Sequence, residues 1–148
     1  MTDIYQKLAE DHRETSKMLE QLNNIAESDP GRRDALFPKV KEELLAHARA
    51  EDATFYNALR QHSESKGDAQ HAMQEHSEVE NLLLELTHLD RSTPEWASKL
   101  RELKQSVESH VDEGENQIFP EAQGILDDQQ ANEIGESFTQ EKAQRPQH

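Results

Sequence analysis

An internal repeat constrains this chain more than its composition does. "EDHRETSKMLEQL" (10–22) aligns with "QEHSEVENLLLEL" (74–86), 64 residues further on. "HARAEDATFYNAL" (47–59) aligns with "HVDEGENQIFPEA" (110–122), 63 residues further on. The alignment pairs His12 with His76, His47 with His110 and Tyr56 with Phe119. A unit of two segments that occurs twice at so regular a spacing predicts two similar halves packed against each other.

Each segment carries an apolar stripe of helical period. Ile4, Leu8, Leu19, Leu22 and Ile25 form the first, with His12 in its gap. Leu36, Val40, Leu44, Phe55 and Leu59 form the second, with His47 and Glu51 in its gap. Met73, Val79, Leu83 and Leu86 form the third, with His76 among them. Trp96, Leu100, Leu103, Val107, Ile118 and Ile125 form the fourth, with His110 on the stripe. Breaks fall at "SDPGRRD" (28–34), "SESKGD" (63–68) and "LDRSTPE" (89–95). Pro38 is expected in the first turn of the second helix or just before it, and Thr93-Pro94 reads as an N-cap followed by proline at the first helical position. Four long amphipathic segments with short connections predict an all-α, antiparallel up-down four-helix bundle over 1–125. Residues 126–148 are expected to add a short C-terminal helix from about Gln129 to Lys142 and a tail, "AQRPQH".

Composition is a weak guide to order here. Leu, Ile, Val and Phe total 28 of 148 residues and the net charge is -15, a balance common in disordered chains. Periodicity argues for a folded chain whose lean core calls for a further source of stability, such as a metal or a partner. The acidity speaks against nucleic acid and anionic membrane surfaces as partners, and protein partners stay open. The absence of cysteine removes disulfides, thiolate zinc sites and cysteine-held iron–sulfur clusters. With no apolar leader and no membrane-length run, a cytoplasmic location is the expectation.

The histidines carry the chemistry. Residues at i and i+4 project from one helix face, so His47 and Glu51 can reach one centre. Neutral imidazole is a good ligand for iron, zinc or copper, a carboxylate adds charge compensation, and bundle cores hold paired metals with such groups from facing helices. One inward histidine is usually a hydrogen-bonded core residue. Four matched ones beside a glutamate would be costly to bury with nothing to bind. His62 and His88 lie near helix C-termini, His71 lies five residues before His76 and points elsewhere, and His148 is in the tail.

With these residues in view the chain resembles the hemerythrin-like family, the HHE cation-binding domains. That pattern is a histidine, then H-x3-E, then a histidine, then H-x3-E; here His12, "HARAE" (47–51), His76 and His110 supply it over roughly residues 1–125. Aromatic residues follow the second and fourth motifs in "TFYNAL" and "QIFPEA". The resemblance implies a non-haem di-iron centre, with two histidines per iron and bridging carboxylates. It also implies oxygen, nitric oxide or peroxide as small ligand, or iron handling.

The fourth motif departs from the pattern. Gly114 stands four residues after His110, where the family and the repeat call for glutamate. Glu113, about 60° from His110 around the helix, and Glu115, about 140° away, are the possible substitutes. Glu115 requires local unwinding, for which a glycine and a π-bulge suffice. It is also similarly placed to the aspartate five residues after the helix-four histidine in oxygen-carrying hemerythrins. Glu115 therefore joins His12, His47, Glu51, His76 and His110 as the expected metal set. A site with no third carboxylate is the remaining alternative. Tyr56 either packs like Phe119, with its hydroxyl outward, or presents a phenol to the metal; packing is the simpler reading. A metal-binding protein for oxygen, nitric oxide or iron is the expected function, and an enzyme acting on peroxide or nitric oxide the alternative. The residues four either side of His76 are Ala72 and Glu80, so a second helix-three histidine of the classical oxygen carriers is missing.

Overall fold

The computed structural model describes residues 2–144. Four long helical arms run up and down: α1 (Ile4–Asn23), α2 (Pro30–Glu51), α4 (Lys66–His88) and α5 (Pro94–Glu113). The second and fourth arms continue through single π-helical turns, π1 (Asp52–Tyr56) and π2 (Gly114–Ile118), into α3 (Asn57–Arg60) and α6 (Phe119–Gln123). A fifth helix, α7 (Asp128–Ala143), packs across α1 and α2. Around the bundle α1 neighbours α2 and α5, and α4 neighbours α5 and α2. Among the described residues there is no strand, and no helix is long and apolar enough to cross a membrane. Residues 145–148, the end of the expected tail, lie outside the described residues.

Local signals account for most boundaries. The carboxylate of Asp3 accepts from Gln6 N at the head of α1, and Thr93 Oγ1 accepts from Trp96 N at the head of α5. Asp127 and Gln130 make a reciprocal capping box at the head of α7. Pro38 is a correction. The second helix starts eight residues earlier, at Pro30, capped by Asp29, and Pro38 lies inside it. Pro38 and Asp34, whose carbonyl loses its donor, are both exposed, so water serves where the ladder is interrupted.

The core has two apolar blocks. One gathers Leu19, Leu22, Phe37, Val40, Leu83, Leu86, Trp96, Leu100 and Leu103. Its Trp96 is fully buried, donates from Nε1 to Leu86 O at 3.2 Å and carries the Arg33 guanidinium 4.9 Å above its ring. The other block gathers Ile4, Leu8, Phe55, Tyr56, Leu59, Phe119 and Leu126, and Phe138 of α7 belongs to it. Between the blocks, along every arm, sits the histidine layer.

Candidate metal centre

His12, His47, His76 and His110 are all buried, and Glu51 is fully withdrawn from solvent between them. Each arm supplies one imidazole at the same depth, as the repeat requires. The ring centroids of His12 and His47 lie 4.9 Å apart, and those of His76 and His110 lie 4.4 Å apart. Glu51 stands between the two pairs. Its Oε1 is 3.4 Å from His47 Nε2, 3.0 Å from His76 Nε2 and 3.4 Å from His110 Nε2; its Oε2 is 3.6 Å from His12 Nε2. Two groups of three converging ligand atoms result: His12, His47 and Glu51, and Glu51, His76 and His110.

The outer nitrogens are held just as systematically. His12 Nδ1 donates to Glu115 at 2.8 Å, His76 Nδ1 to Asp52 at 2.6 Å and His110 Nδ1 to Glu75 at 2.9 Å, while His47 Nδ1 donates to Asp11. A carboxylate on Nδ1 fixes the ring and aims Nε2 inward, as second partners do for metal-binding histidines. The four carboxylates obey the repeat: Asp11 corresponds to Glu75, and Asp52 to Glu115. Sequence reasoning missed Asp11, Asp52 and Glu75. The signal was present, since an acidic residue precedes His12 and His76 and another follows His47 and His110 by five.

Glu115 is therefore brought to the centre from outside. Its carboxylate meets the far side of the His12 ring and is absent from both converging groups. Glu113 turns to the bundle surface, towards His71. The π-helical turn expected from a glycine is present, but π1 in the first half has no glycine. In π1 the Thr54 hydroxyl donates to Ala50 O at 2.7 Å across the shifted ladder. In π2 the following helix carries Pro120, which has no N–H to give to the ladder.

Gly114 leaves its space to Tyr56. A Cβ built on Gly114 would lie 3.8 Å from the Tyr56 hydroxyl. The Tyr56 ring is fully buried beside His76 and His110, with centroids 5.8 and 6.2 Å away. Tyr56 does pack, but its hydroxyl points inward and has no hydrogen-bond partner. The outward course expected for helical tyrosines fails because π1 carries residue 56 round to the core side of the arm.

Electrostatics follow from this geometry. Burial would raise the Glu51 carboxyl, but the surrounding imidazoles hold it well below the carboxylate range. Burial would lower His47, yet Glu51 and Asp11 lift it to about 9; Asp52 and Glu51 overcome burial at His76, also about 9. His110 is raised too, against burial, by Glu51 and Glu75. Burial and the neighbouring carboxylates push the Tyr56 phenol well above its ordinary value. In the metal-free chain the surrounding carboxylates thus favour the protonated form of His47, His76 and His110.

The donor set fits a metal. Nε2 of His12, His47 and His76 and Oε2 of Glu51 are buried with no hydrogen-bond partner; His76 Nε2 is near Glu51 but misaligned for one. Buried polar groups are rarely left so, and a cation among them supplies what each lacks. Imidazole with carboxylate and no thiolate suits iron, zinc or manganese.

The comparisons agree with this geometry. The sequence model of the hemerythrin HHE cation binding domain matches residues 3–122. The fold matches the crystal structure of a hemerythrin HHE cation binding domain-containing protein from Mycobacterium kansasii, with a TM-score of 0.83 and 28% identity, over 97% of this chain and 87% of that one. A DNA nickase of Nostoc sp. is 27% identical over 133 residues, which are 90% of this chain; the chain spans 37% of that relative's length.

Proposed function

Since this chain belongs to the hemerythrin HHE cation-binding domain family, we propose that it is a non-haem di-iron protein that binds a small ligand, oxygen or nitric oxide, beside Tyr56 and Gly114. The observation that carries the reading is the sharing of Glu51 by two histidine pairs, with inner nitrogens that have no other partner. His12 and His47 would hold one iron and His76 and His110 the other, with Glu51 common to both. When bound, the pair of irons would supply Lewis-acid and one-electron redox chemistry.

The chain's own residues do the rest. Asp11, Glu115, Asp52 and Glu75 hold the rings in place and strengthen them as donors. Phe55 and Phe119, edge to face with centroids 5.7 Å apart, help wall the layer from water. The Tyr56 hydroxyl faces the side that Gly114 leaves without a carboxylate, and is placed to donate a hydrogen bond to a small polar guest. Anaerobic iron titration followed by exposure to air tests the reading. Two irons per chain and an optical change on oxygenation are expected. Saturation at one iron, or none, would reject it.

A second reading, turnover of peroxide or nitric oxide, is favoured by that same hydroxyl, since a phenol at the open side can give a proton. Tyr56→Phe separates the two: it should depress turnover well below the parent while iron content is kept. Equal turnover by both proteins would remove Tyr56 from the chemistry.

A further inference from the structure

Outside the bundle core the two halves differ at one matched pair of carboxylates. Asp11 gives one oxygen to His47 Nδ1 and the other to the Lys142 ammonium of α7. Its repeat partner Glu75 gives Oε1 to His110 Nδ1 at 2.9 Å, but α7 lies over α1 and α2, on the other side of the bundle. Glu75 Oε2 instead faces His71 Nε2 at 3.7 Å, and Glu113 Oε2 lies 3.8 Å from the same nitrogen. Among the described residues, the ion pairs of Glu75 and Glu113 involve His71 and His110 and neither a lysine nor an arginine.

The three ligand atoms lie within 4.8 Å of one another. An ion held ~2.1 Å from each of three donors spans separations of roughly 3–4 Å, so small side-chain adjustments suffice. His71 and Glu75 are i and i+4 on α4, which aims both at one point, and Glu113 closes the group from α5. His71 is 63% exposed and Glu75 only 17%, so the group opens to solvent on one side and rests on a fixed carboxylate on the other. One imidazole with two carboxylates is a donor set for borderline divalent ions rather than for calcium or magnesium, which prefer oxygen alone.

We propose that His71, Glu75 and Glu113 bind one divalent transition cation at the rim of the bundle, on the Glu75 oxygen that does not serve His110. Glu75 joins this rim site to the core, because an ion on Oε2 draws charge from the carboxylate that accepts from His110 Nδ1. That link rests on the di-iron reading; the rim site itself does not.

Equilibrium dialysis of the iron-loaded chain against zinc, with both metals counted, tests the proposal. One zinc per chain with iron retained is expected. His71→Ala and Glu113→Gln should each weaken zinc binding about tenfold or more and leave iron content unchanged. Should the chain take up no iron, the same dialysis on metal-free protein still decides, because the parent should exceed His71→Ala by one zinc. Zinc uptake only in exchange for iron, or equal uptake by parent and both variants, overturns the rim site.

Discussion

Glu51 and Gly114 occupy matched places, each four residues after an inward histidine and each at the edge of a π-helical turn. In the first half that place holds a fully buried carboxylate within 3.6 Å of all four imidazoles. In the second half it holds no side chain, and the Tyr56 hydroxyl, unpartnered, stands opposite. One residue further along, the halves agree again: Asp52 orients His76, and Glu115 orients His12. The duplication has thus kept the groups that aim the rings and changed one group that would fill the centre. The difference teaches that every ring is held from outside by a carboxylate, whereas only the first half sends a carboxylate between the two pairs.

The strongest way to break this comparison is Glu51→Ala. One change should empty both ligand groups, taking metal per chain close to zero by elemental analysis. In the metal-free protein it leaves raised imidazoles without their buried counter-charge, a loss of about 3–5 kcal/mol in denaturant unfolding. Gly114→Glu should cause no such loss. If Glu51→Ala kept its full metal content, the shared-carboxylate arrangement would be wrong.

A smaller effect sharpens the other side of the comparison. Asp52→Asn and Glu115→Gln should weaken metal affinity alike, each by roughly 10–100-fold, since each only aims a ring. Competition with a chelator would measure both. Abolished binding in Glu115→Gln beside a mild loss in Asp52→Asn would make Glu115 a ligand and end the symmetry.

The raised imidazoles predict a pH effect of the metal-free chain. His47 and His76 stand at about 9 when folded, against an ordinary 6.5. The folded state therefore binds protons more tightly than the unfolded one. That contribution is full below about pH 6.5 and is lost as pH rises towards 9. The melting temperature of the chelated protein should fall across this window, and that of the loaded protein should change less, because metal takes the place of those protons. Parallel curves for the two forms would refute the assignment.

The smallest expected effect is that of Gly114→Ala. The new methyl would meet the Tyr56 hydroxyl at 3.8 Å, an ordinary contact. The helix should gain up to ~1 kcal/mol with metal content unchanged. A clear loss of stability would mean that the space between Gly114 and Tyr56 is not free to be filled.

Much of this arrangement was legible because it is local or periodic. The arms, the Thr93-Pro94 cap and the depth of four histidines all follow from spacing along one helix. Pro38 was misread because a proline inside a helix is tolerated when the carbonyl it frees reaches water, and exposure is not written in the residue itself. Tyr56 was misread because a π-turn moves every later side chain round the arm, and its cause lies partly in Thr54.

The sequence by itself determined a bundle of four repeated arms with a histidine layer, and marked Gly114 as the exception. Only the tertiary structure decided which carboxylate serves which histidine. Asp52 and Glu115 act on rings in the opposite half, and Asp11 and Glu75 on rings of a neighbouring arm. Such pairings depend on how the arms are rotated and shifted against one another, which is fixed by the packing of whole faces. For the same reason, only the structure placed Glu115 behind His12, turned the Tyr56 hydroxyl towards Gly114, and set Lys142 against Asp11 while leaving Glu75 to His71 and Glu113.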